Sequence, residues 1–263
     1  MAGGGLAIII QARMGSSRLP GKVLLDLGGR TALAWCIERC MTIDAADAIV
    51  CAVAEGAESD PVAEEAWASG ALVVRGSETD VLSRYAAAAR EVRADRVMRV
   101  TSDCPLIDPE VCDRLVAFAD ATGADYVSNN MPPSWPHGLD CDVFPANLLY
   151  EAEKYAIEQH DREHVTPWIR RHKSITRACL AGPGGLAGQQ RWTLDYAQDY
   201  AFLKAVFDAL GPAASTARVA DMIALLARRP DIQAINASLA DERRIGAGQQ
   251  AEIISLPQRL EAA

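Results

Sequence analysis

The strongest constraint on the fold is an alternation of short apolar runs with helical stretches through the first half of the chain. The apolar runs are bounded by turns and lie at residues 6–10, 48–53, 71–75, 96–100 and 125–129. Runs that are apolar throughout are typical of parallel strands buried on both faces. Helices are predicted between them, at 31–42, 60–69, 80–92 and 109–121. This order predicts right-handed βαβ crossovers and a single doubly wound, mostly parallel α/β sheet of the Rossmann-like type.

The pattern breaks at residues 129–138, where NNMPPSWPHG holds three prolines and predicts neither a helix nor an inner strand. Beyond it we predict strands in LDCDVF, ITRACLA and QRWTLD, and helices near 146–158, 160–172, 197–210 and 218–228. No internal repeat or linker interrupts the chain. We therefore expect one domain at 1–235, divided into a first part at about 1–128 and a substrate-side part at about 129–190, with a peripheral tail at 236–263.

Composition excludes several classes of partner. The 263 residues carry a formal net charge of −9, which argues against a broad surface for nucleic acid or for anionic membranes. No stretch approaches eighteen consecutive apolar residues, and the N-terminus does not resemble a signal peptide. The seven cysteines form no CxxC pair and mostly lie in apolar segments, which indicates reduced core thiols. We expect a cytoplasmic protein with neither nucleic-acid nor membrane partners.

The loop after the first strand, QARMGSSRLPGKVLL, begins at Gln11 and invites comparison with a Walker A phosphate loop. That motif has four residues between its glycines and a Ser or Thr after its lysine. Here five residues separate Gly15 from Gly21, and Val23 follows Lys22. A Walker A loop uses the missing hydroxyl to hold Mg²⁺. Any Mg²⁺ must therefore be held by carboxylates from elsewhere in the chain.

The same loop is a basic island in an acidic chain. Arg13, Arg18 and Lys22 can make charge-assisted hydrogen bonds to phosphate oxygens, and arginine can do so with two bonds at once. The two glycines permit backbone turns that direct amide groups toward an anion, and Pro20 stiffens the segment. Charge alone leaves open the alternative of a chance cluster on a solvated loop.

Two aspartates are predicted to follow strands at the same edge of the sheet. TSDCPLIDP places Asp103 just past the strand at 96–100, and RWTLDYAQDY places Asp195 at the end of a late predicted strand. Ligands of doubly wound sheets bind beyond the carboxyl ends of the strands. The two carboxylates would therefore face the basic loop and suit a metal-bound polyphosphate. A lone aspartate is more often a helix cap, which is our interpretation of Asp108.

Six stretches together resemble the sugar cytidylyltransferases, a family that includes the acylneuraminate and Kdo enzymes and, most similar to this chain, the spore-coat polysaccharide protein F type. In chain order they are IIIQARMGSSRLPGKVL, GSETDVLSRY, RVTSDCPLIDP, PHGLDCDVF, REHVTPWI and RWTLDYAQDY, and they span residues 6 to about 203. The resemblance implies a GT-A-like fold that binds CTP and Mg²⁺, with the nucleotide in the part at about 1–128. It also implies transfer of CMP to an acceptor with release of pyrophosphate, a role in surface polysaccharide or glycoconjugate synthesis, and a homodimer.

Carried over residue by residue, the resemblance implies a nucleotide site. The nucleotide-binding residues would be Gln11, Ala12, Arg13, Gly15, Ser16, Ser17, Arg18, Lys22, Arg75, Asp80 and Arg84. The basic side chains of the loop and Ser16 would hold the triphosphate. The backbone around Gln11 and Ala12 would lie against the cytosine, and the stretch from 75 to 84 would help to read the base.

The resemblance also implies a catalytic set. Asp103 and Asp195 match the metal-binding aspartates of the family, and Arg18 and Lys22 would join them as catalytic residues. Mg²⁺ bound to the two carboxylates would lower the pKa of the attacking group, while the two cationic side chains would stabilise the departing pyrophosphate. No separate general base is needed.

The acceptor side is predicted from SWPHGLDCDVF and HDREHVTPWIRRH. Its polar candidates are His137, Asp140, His164 and Thr166. The most similar relatives usually read DGLDVEVF, so that His137 and Asp142 replace an Asp and a Glu. His137 could bind an anionic group or cap a turn, and both interpretations stay open. We expect a small anionic acceptor, namely a sugar acid, a sugar phosphate, a phosphonate or a polyol phosphate.

Two other functions are alternatives. HDREH at 160–164 fits the H-x-x-E-H pattern of a class of zinc metallopeptidases, and its two histidines would share a helix face, but no third ligand stands out. A GT-A-type glycosyltransferase would share the predicted fold and consume a nucleotide-sugar. Its usual D-x-D metal motif could be Asp140-Cys141-Asp142.

Overall fold

Seven strands form one sheet through the middle of the molecule in the computed structural model, which describes residues 5–240. They are β1 (Leu6–Ala12), β2 (Ala48–Ala54), β3 (Leu72–Gly76), β4 (Arg96–Thr101), β5 (Tyr126–Ser128), β6 (Asp142–Pro145) and β7 (Arg177–Cys179). Their order across the sheet is β3-β2-β1-β4-β6-β5-β7. Most of the predicted tail, from residue 241 onward, lies outside the described residues.

Helices connect the strands and cover both faces of the sheet. They are α1 (Ala32–Cys40), α2 (Asp60–Ala68), α3 (Val81–Glu91), α4 (Pro109–Thr122), α5 (Ala146–Tyr155), α6 (Gln159–His164), α7 (Pro167–Arg171), α8 (Gly185–Gly188), α9 (Ala197–Leu210), α10 (Val219–Arg228) and α11 (Pro230–Gln233). Within residues 5–240, no helix is long and apolar enough to cross a bilayer.

The first four strands confirm the predicted parallel arrangement. β1 pairs in parallel with β2 on one side and with β4 on the other, and β2 pairs in parallel with β3. β6 is antiparallel and lies between β4 and β5, because the chain reverses direction in the proline-rich loop before it. The sheet is thus mostly parallel, and its class is α/β as expected.

Burial on the two faces explains why these segments fold together. Along β1, Ile8 and Ile10 pack into the core beneath α1, α4 and α9, whereas Ala7 and Ile9 pack into the core beneath α3 and α5. Because neighbouring side chains of a strand point to opposite faces, a strand between two helical layers must be apolar throughout. Each large side chain buried in this way contributes about 1.5–3 kcal/mol to folding.

The predicted strand in QRWTLD is wrong. Its backbone makes a single isolated bridge, between Arg191 and His137, and adds no strand to the sheet. Trp192 N–H donates to the carbonyl of His137 at 2.6 Å, whereas Leu194 N–H donates to the carbonyl of Asp103 at 2.9 Å. Since its backbone N–H groups donate to carbonyls in two different loops, the segment forms no continuous ladder. Asp195 therefore follows an extended segment instead of a strand.

The predicted single helix at 160–172 is also wrong. The chain forms α6 and α7, separated at Val165, whose φ of 68° is in the left-handed region. Pro167 lacks a backbone N–H and is well placed at the first position of a new helix, but it would break a continuing one. The break separates His164 at the end of α6 from Arg170 in α7.

Candidate active site

A cleft of about 280 Å³ opens at the carboxyl ends of β1 and β4. Its lining includes twelve residues of the predicted site: Gln11, Ala12, Arg13, Gly15, Ser16, Ser17, Arg18, Lys22, Arg84, Asp103, His164 and Asp195. Val23, Val81, Thr101, Ser102 and Glu163 also line it and were not predicted from the sequence. The fold therefore brings the basic loop and both aspartates to one place, although they are far apart in the sequence.

The basic loop is held by its own backbone and by one buried side chain. Gly21 N–H donates to the carbonyl of Met14 at 3.2 Å, and Gly21 has a φ of 68°, which favours glycine. Val23 follows in a 3₁₀ turn and is buried in the core. The residue that replaces the Ser/Thr of a Walker A loop thus anchors the loop to the core, and it offers no hydroxyl to a metal ion.

Lys22 lies between the two aspartates. Its Nζ is 2.9 Å from Asp103 Oδ2 and 2.8 Å from Asp195 Oδ1. Burial would lower the pKa of Lys22, but the attraction of both carboxylates outweighs burial and raises that pKa above its ordinary value. Burial would likewise raise the pKa of Asp103, but Lys22 and a hydrogen bond from Thr101 hold it well below its usual range. Lys22 and Asp103 are consequently both charged at neutral pH.

Asp103 and Asp195 are brought together by backbone contacts. The carbonyl of Asp103 accepts hydrogen bonds from Leu194 N–H at 2.9 Å and from Thr193 Oγ1 at 3.2 Å. On the other side of the segment, Gly138 has a φ of 108°, and a Cβ there would lie 2.6 Å from the carbonyl carbon of Trp192. A close approach that only glycine allows thus seats the 190–195 segment against the end of β4.

Asp195 is oriented by a buried pair behind it. Arg191 Nη2 is 3.2 Å from Asp195 Oδ2, and the same guanidinium donates two hydrogen bonds of 2.9 Å to Asp199. Asp199 also accepts from the N–H of Asp195 at 3.1 Å and from Asn236 Nδ2 at 3.0 Å. Burial would raise the pKa of Asp199, but its hydrogen bonds to Arg191 and Asn236 lower it.

Arg191 was not predicted from the sequence, although its spacing offered a signal. Arg191, Asp195 and Asp199 follow one another at intervals of four residues. Asp199 lies one helical turn beyond Asp195 in the sequence. Because Asp199 is fully buried at the start of α9, it positions Asp195 and has no access to a ligand.

The other positively charged side chains of the cleft differ in their interaction partners. Arg18 is 3.6 Å from Asp195 Oδ2 and lies over the ring of Tyr196. Arg84 is 1% exposed, and its Nε and Nη1 have no hydrogen-bond partner in the structure. Burial lowers the pKa of Arg84, with a further contribution from the charge of Arg13. Buried donors without partners are rare in folded proteins, so the wall formed by Arg84 is suited to an acceptor atom of a ligand.

Arg75, Asp80 and Thr166 do not line this cleft. Arg75 forms an ion pair with Asp60 and donates to two backbone carbonyls at the end of β2. Asp80 caps α3 by accepting from Ser83 N–H at 3.0 Å and pairs with Arg162. Thr166 is buried between α6 and α7. These three residues therefore lie outside the lining of this cleft, and their nucleotide- and acceptor-binding roles stay predictions.

His137 and Asp140 lie beside the aspartate pair and outside the cleft lining. His137 Nδ1 is 3.3 Å from Arg191 Nη1, and its Nε2 is 3.7 Å from Asp140 Oδ2. His164, by contrast, lines the cleft, where burial and the nearby His160 lower its pKa. The rings of His160 and His164 are 4.5 Å apart, but among residues 5–240 no group of three His, Cys, Asp or Glu side chains is arranged to hold a metal.

A Rossmann-like sheet with a basic loop facing two carboxylates at its carboxyl edge defines a class of protein, the nucleotide-dependent transferases of the nucleotidyltransferase fold. The chain belongs to the cytidylyltransferase family, whose model matches residues 7–206, and it is a CTP-dependent nucleotidyltransferase. The predicted family and enzyme class are thereby confirmed.

Individual relatives support this membership over nearly the whole chain. The spore coat polysaccharide biosynthesis protein SpsF of Bacillus subtilis is 34% identical over 233 residues, which cover 86% of this chain and 95% of that protein. An uncharacterized protein of Methanocaldococcus jannaschii is also 34% identical, with coverages of 88% and 94%. A solved cytidylyltransferase from Leptospira borgpetersenii is 28% identical with a TM-score of 0.81, covering 87% of this chain and 96% of that one.

Proposed function

We propose that this cytidylyltransferase transfers CMP to a sugar acid, a sugar phosphate or a related phosphorylated or phosphonate acceptor. The product would be an activated precursor for surface polysaccharide or glycoconjugate synthesis, as the name of the Bacillus relative suggests for that protein. The observation that carries the proposal is the convergence of the basic loop with Asp103 and Asp195 in one cleft.

The nucleotide would lie along the basic loop. Arg13, Ser16 and Arg18 line the cleft and would hold the triphosphate. Arg84, which also lines the cleft, has two nitrogens without a hydrogen-bond partner among residues 5–240 and offers further donors. The backbone at Gln11, at the end of β1, would lie against the cytosine. These contacts supply binding energy and orientation, and orientation is the main contribution of protein groups in phosphoryl transfer.

The two aspartates fit a magnesium ion. Carboxylate oxygens are hard ligands, and Mg²⁺ is usually bound by one or two carboxylates together with substrate phosphates and water. The position of Lys22 Nζ, within 2.9 Å of both carboxylates, demonstrates that they converge on one cation. When bound, Mg²⁺ would neutralise phosphate charge and lower the pKa of the acceptor's attacking group. Asp103 and Asp195 would hold it.

The basic side chains would then stabilise the leaving group. Attack on the α-phosphorus increases charge on the pyrophosphate as it departs. Arg18 is half exposed at the cleft and can reach the phosphate oxygens, and Lys22 provides a second positive charge nearby. Removing one preorganised contact of this kind typically costs about 10²–10³ in rate. No residue is assigned as a separate general base.

A pyrophosphate-release screen tests the proposal. Each of the four nucleoside triphosphates is incubated with Mg²⁺ and each acceptor class, namely sugar acids, sugar phosphates, phosphonates and polyol phosphates. We expect release with CTP and one anionic class, and none with the neutral parent sugars. Equal activity with UTP and GTP, or turnover with a neutral sugar, would contradict the assignment.

The alternative functions gain no support from the structure. The Asp140-Cys141-Asp142 segment does not form one metal-facing group, because Asp140 contacts Gly138 N–H and His137 whereas Asp142 is 3.6 Å from Arg99 on the sheet. Family membership accounts for the segment containing His160 and His164 without a peptidase. A cytoplasmic location and a homodimer remain part of our proposal, and light scattering in solution would test the dimer.

A further inference from the structure

One face of the sheet changes from apolar to polar at the edge of the cleft. Under α3 and α5, this face is formed by apolar side chains, among them Ile9, Val97 and Phe144. On each of these strands, the residue two positions closer to the cleft lies on the same face. These residues are Gln11, Arg99 and Asp142. Arg99 and Asp142 are direct partners in the β4–β6 register. Gln11, Arg99 and Asp142 thus form a polar row at the end of an otherwise apolar face.

Several buried polar atoms near this row have no hydrogen-bond partner among residues 5–240. They are Arg99 Nε, Asn130 Oδ1, Asp142 Oδ1 and Arg170 Nε. Tyr126 and Asp142 are each 2% exposed. Burial raises the pKa of Tyr126, the charge of Asp142 and a hydrogen bond to it raise that pKa further, and Arg170 lowers it, so the phenol lies close to both side chains. Leaving a buried polar atom without a hydrogen-bond partner costs about 1–3 kcal/mol. Several such atoms together point to a ligand that supplies the missing hydrogen bonds.

The charge of this region is suited to an anion. Arg170 has no carboxylate within 4 Å among residues 5–240, and its Nη1 lies against Met131 Sδ at 3.4 Å. Arg99 pairs with Asp142 at the long distance of 3.6 Å. Burial lowers the pKa of His164, and the charges of Arg99 and Arg170 also contribute to lowering it, so both guanidinium groups lie within electrostatic range of this side chain. Arg99 thus has one distant carboxylate partner and Arg170 has none among residues 5–240, which leaves a positive charge to be matched.

The region is continuous with the nucleotide cleft. Gln11 Oε1 is 3.4 Å from Arg99 Nη2, and Gln11 also lines the cleft. His164, which lies within electrostatic range of both arginines, lines the cleft as well. A molecule bound over Arg99 and Asp142 would therefore lie next to a nucleotide on the basic loop, as an acceptor must.

We infer that Arg99, Arg170 and Asp142 form the acceptor site, which takes a small polyhydroxylated molecule bearing a carboxylate or a phosphate. Arg99 and Arg170 hold the anionic group, and Asp142 Oδ1 accepts a hydrogen bond from a neighbouring hydroxyl. The inference rests on the proposed function, because it supplies the acceptor for that reaction. It places the acceptor over β4 and β6, away from His137 and Asp140.

Calorimetry on the full chain tests this site in two steps. The first titration measures the affinity for α,β-methylene-CTP with Mg²⁺, an analogue that cannot release pyrophosphate. The second adds glycerol 3-phosphate, glycerate or neutral glycerol to the protein saturated with that analogue, so that the triphosphate contacts are already occupied. We expect an anion to bind and glycerol not to bind, and the two anionic probes distinguish a phosphate from a carboxylate acceptor.

Three substitutions give the site its residue-level test. Arg170→Met and Arg99→Met each lose a charge-assisted contact, so the affinity for the anion should fall about ten- to a hundredfold. Arg170→Lys keeps the charge but loses the planar fork, and an intermediate loss is expected. Arg228→Met is the control, because Arg228 is exposed on α10, which packs on the opposite face of the sheet. Unchanged affinity for the analogue confirms that each variant is folded.

The possible outcomes separate the two proposals. Normal analogue binding with the same anion affinity in Arg170→Met, Arg99→Met and the wild type overturns the acceptor site alone. So does the absence of anion binding to the analogue-saturated wild type, or an equal loss in Arg228→Met. Failure of the wild type to bind the analogue instead contradicts the proposed function.

Discussion

The two walls of the cleft are built in different ways. The basic loop and the turn after β4 follow parallel strands directly, so Lys22 and Asp103 are placed by short connections from neighbouring strands. On the other wall, Asp195 follows no strand. It is held by Gly138, by the carbonyl of Asp103 and by the Arg191–Asp199 pair. One carboxylate of the pair is thus positioned by the sheet and the other by long-range contacts.

The largest effect should come from the carboxylate that the sheet positions. Asp103→Asn removes a charge that Lys22 and the proposed Mg²⁺ both need, and turnover should fall by about 10³ or more. Pyrophosphate release from CTP measures it, and circular dichroism should show an unchanged fold. Asp231→Asn is the matched control, because Asp231 is exposed and pairs only locally with Arg229. Undiminished turnover in Asp103→Asn would remove Asp103 from the catalytic set.

The second prediction tests whether Gly138 helps to position Asp195. Gly138→Ala places a methyl group about 2.6 Å from the backbone of Trp192, so the 190–195 segment must move and Asp195 with it. We expect activity to fall by about 10², in line with the cost of displacing a catalytic group by an ångström.

Gly29→Ala is the control for Gly138→Ala. Gly29 also has a positive φ, of 92°, but a Cβ there meets no atom within 4 Å. Gly29→Ala should therefore cost only backbone strain of about 1 kcal/mol, measured as a lower melting temperature, with the rate retained. Equal losses of activity in the two variants would show that backbone strain alone explains the effect at Gly138.

The third prediction concerns the buried pair behind Asp195. Asp199→Asn leaves Arg191 without its bidentate partner, and we expect a loss of about 3–5 kcal/mol in the free energy of unfolding together with a fall of about tenfold in kcat. Denaturant unfolding and steady-state kinetics measure the two effects. If kcat is unchanged in a variant that remains folded at the assay temperature, Asp199 does not position Asp195.

The pH dependence of stability gives a further test of the same pair. The pKa of Asp199 is lower in the folded protein than in the unfolded chain. Its contribution is therefore complete above the unfolded pKa of about 4 and is lost as the pH falls through the folded pKa. Between about pH 5 and pH 3, the wild type should lose more stability than Asp199→Asn does. Parallel curves for the two proteins would contradict this assignment.

The smallest effect should come from a slight displacement of Arg84, which lines the cleft. Gly76→Ala places a Cβ 2.9 Å from Arg84 Cγ, which is part of a flexible side chain. Arg84 should shift slightly, and we expect the KM for CTP to rise about threefold with kcat nearly unchanged. A large fall in kcat would indicate that Arg84 acts on the reacting phosphate and not on nucleotide binding.

The part of the structure that could be predicted from the sequence differs between the two walls of the cleft. The loop around Lys22 and the position of Asp103 were predictable, because buried strands have a clear pattern and their carboxyl ends share one edge of a parallel sheet. Asp195 was found by its motif, but its supporting structure was not, since a strand was expected where the chain only extends between two loops. The ion pair of Arg99 with Asp142 could not be predicted, because it depends on the antiparallel register of β6.

The amino-acid sequence by itself determined the α/β class, the cytidylyltransferase family and the chemistry of the basic loop. These follow from local patterns, namely apolar strands, helical periodicity and a contiguous run of arginine, glycine and lysine. Only the tertiary structure decided that Lys22 lies between two aspartates, that Asp199 supports Asp195, and that Arg99 is paired with Asp142 across β4 and β6. These arrangements depend on which distant segments approach each other, and that is settled by packing on the two faces of the sheet.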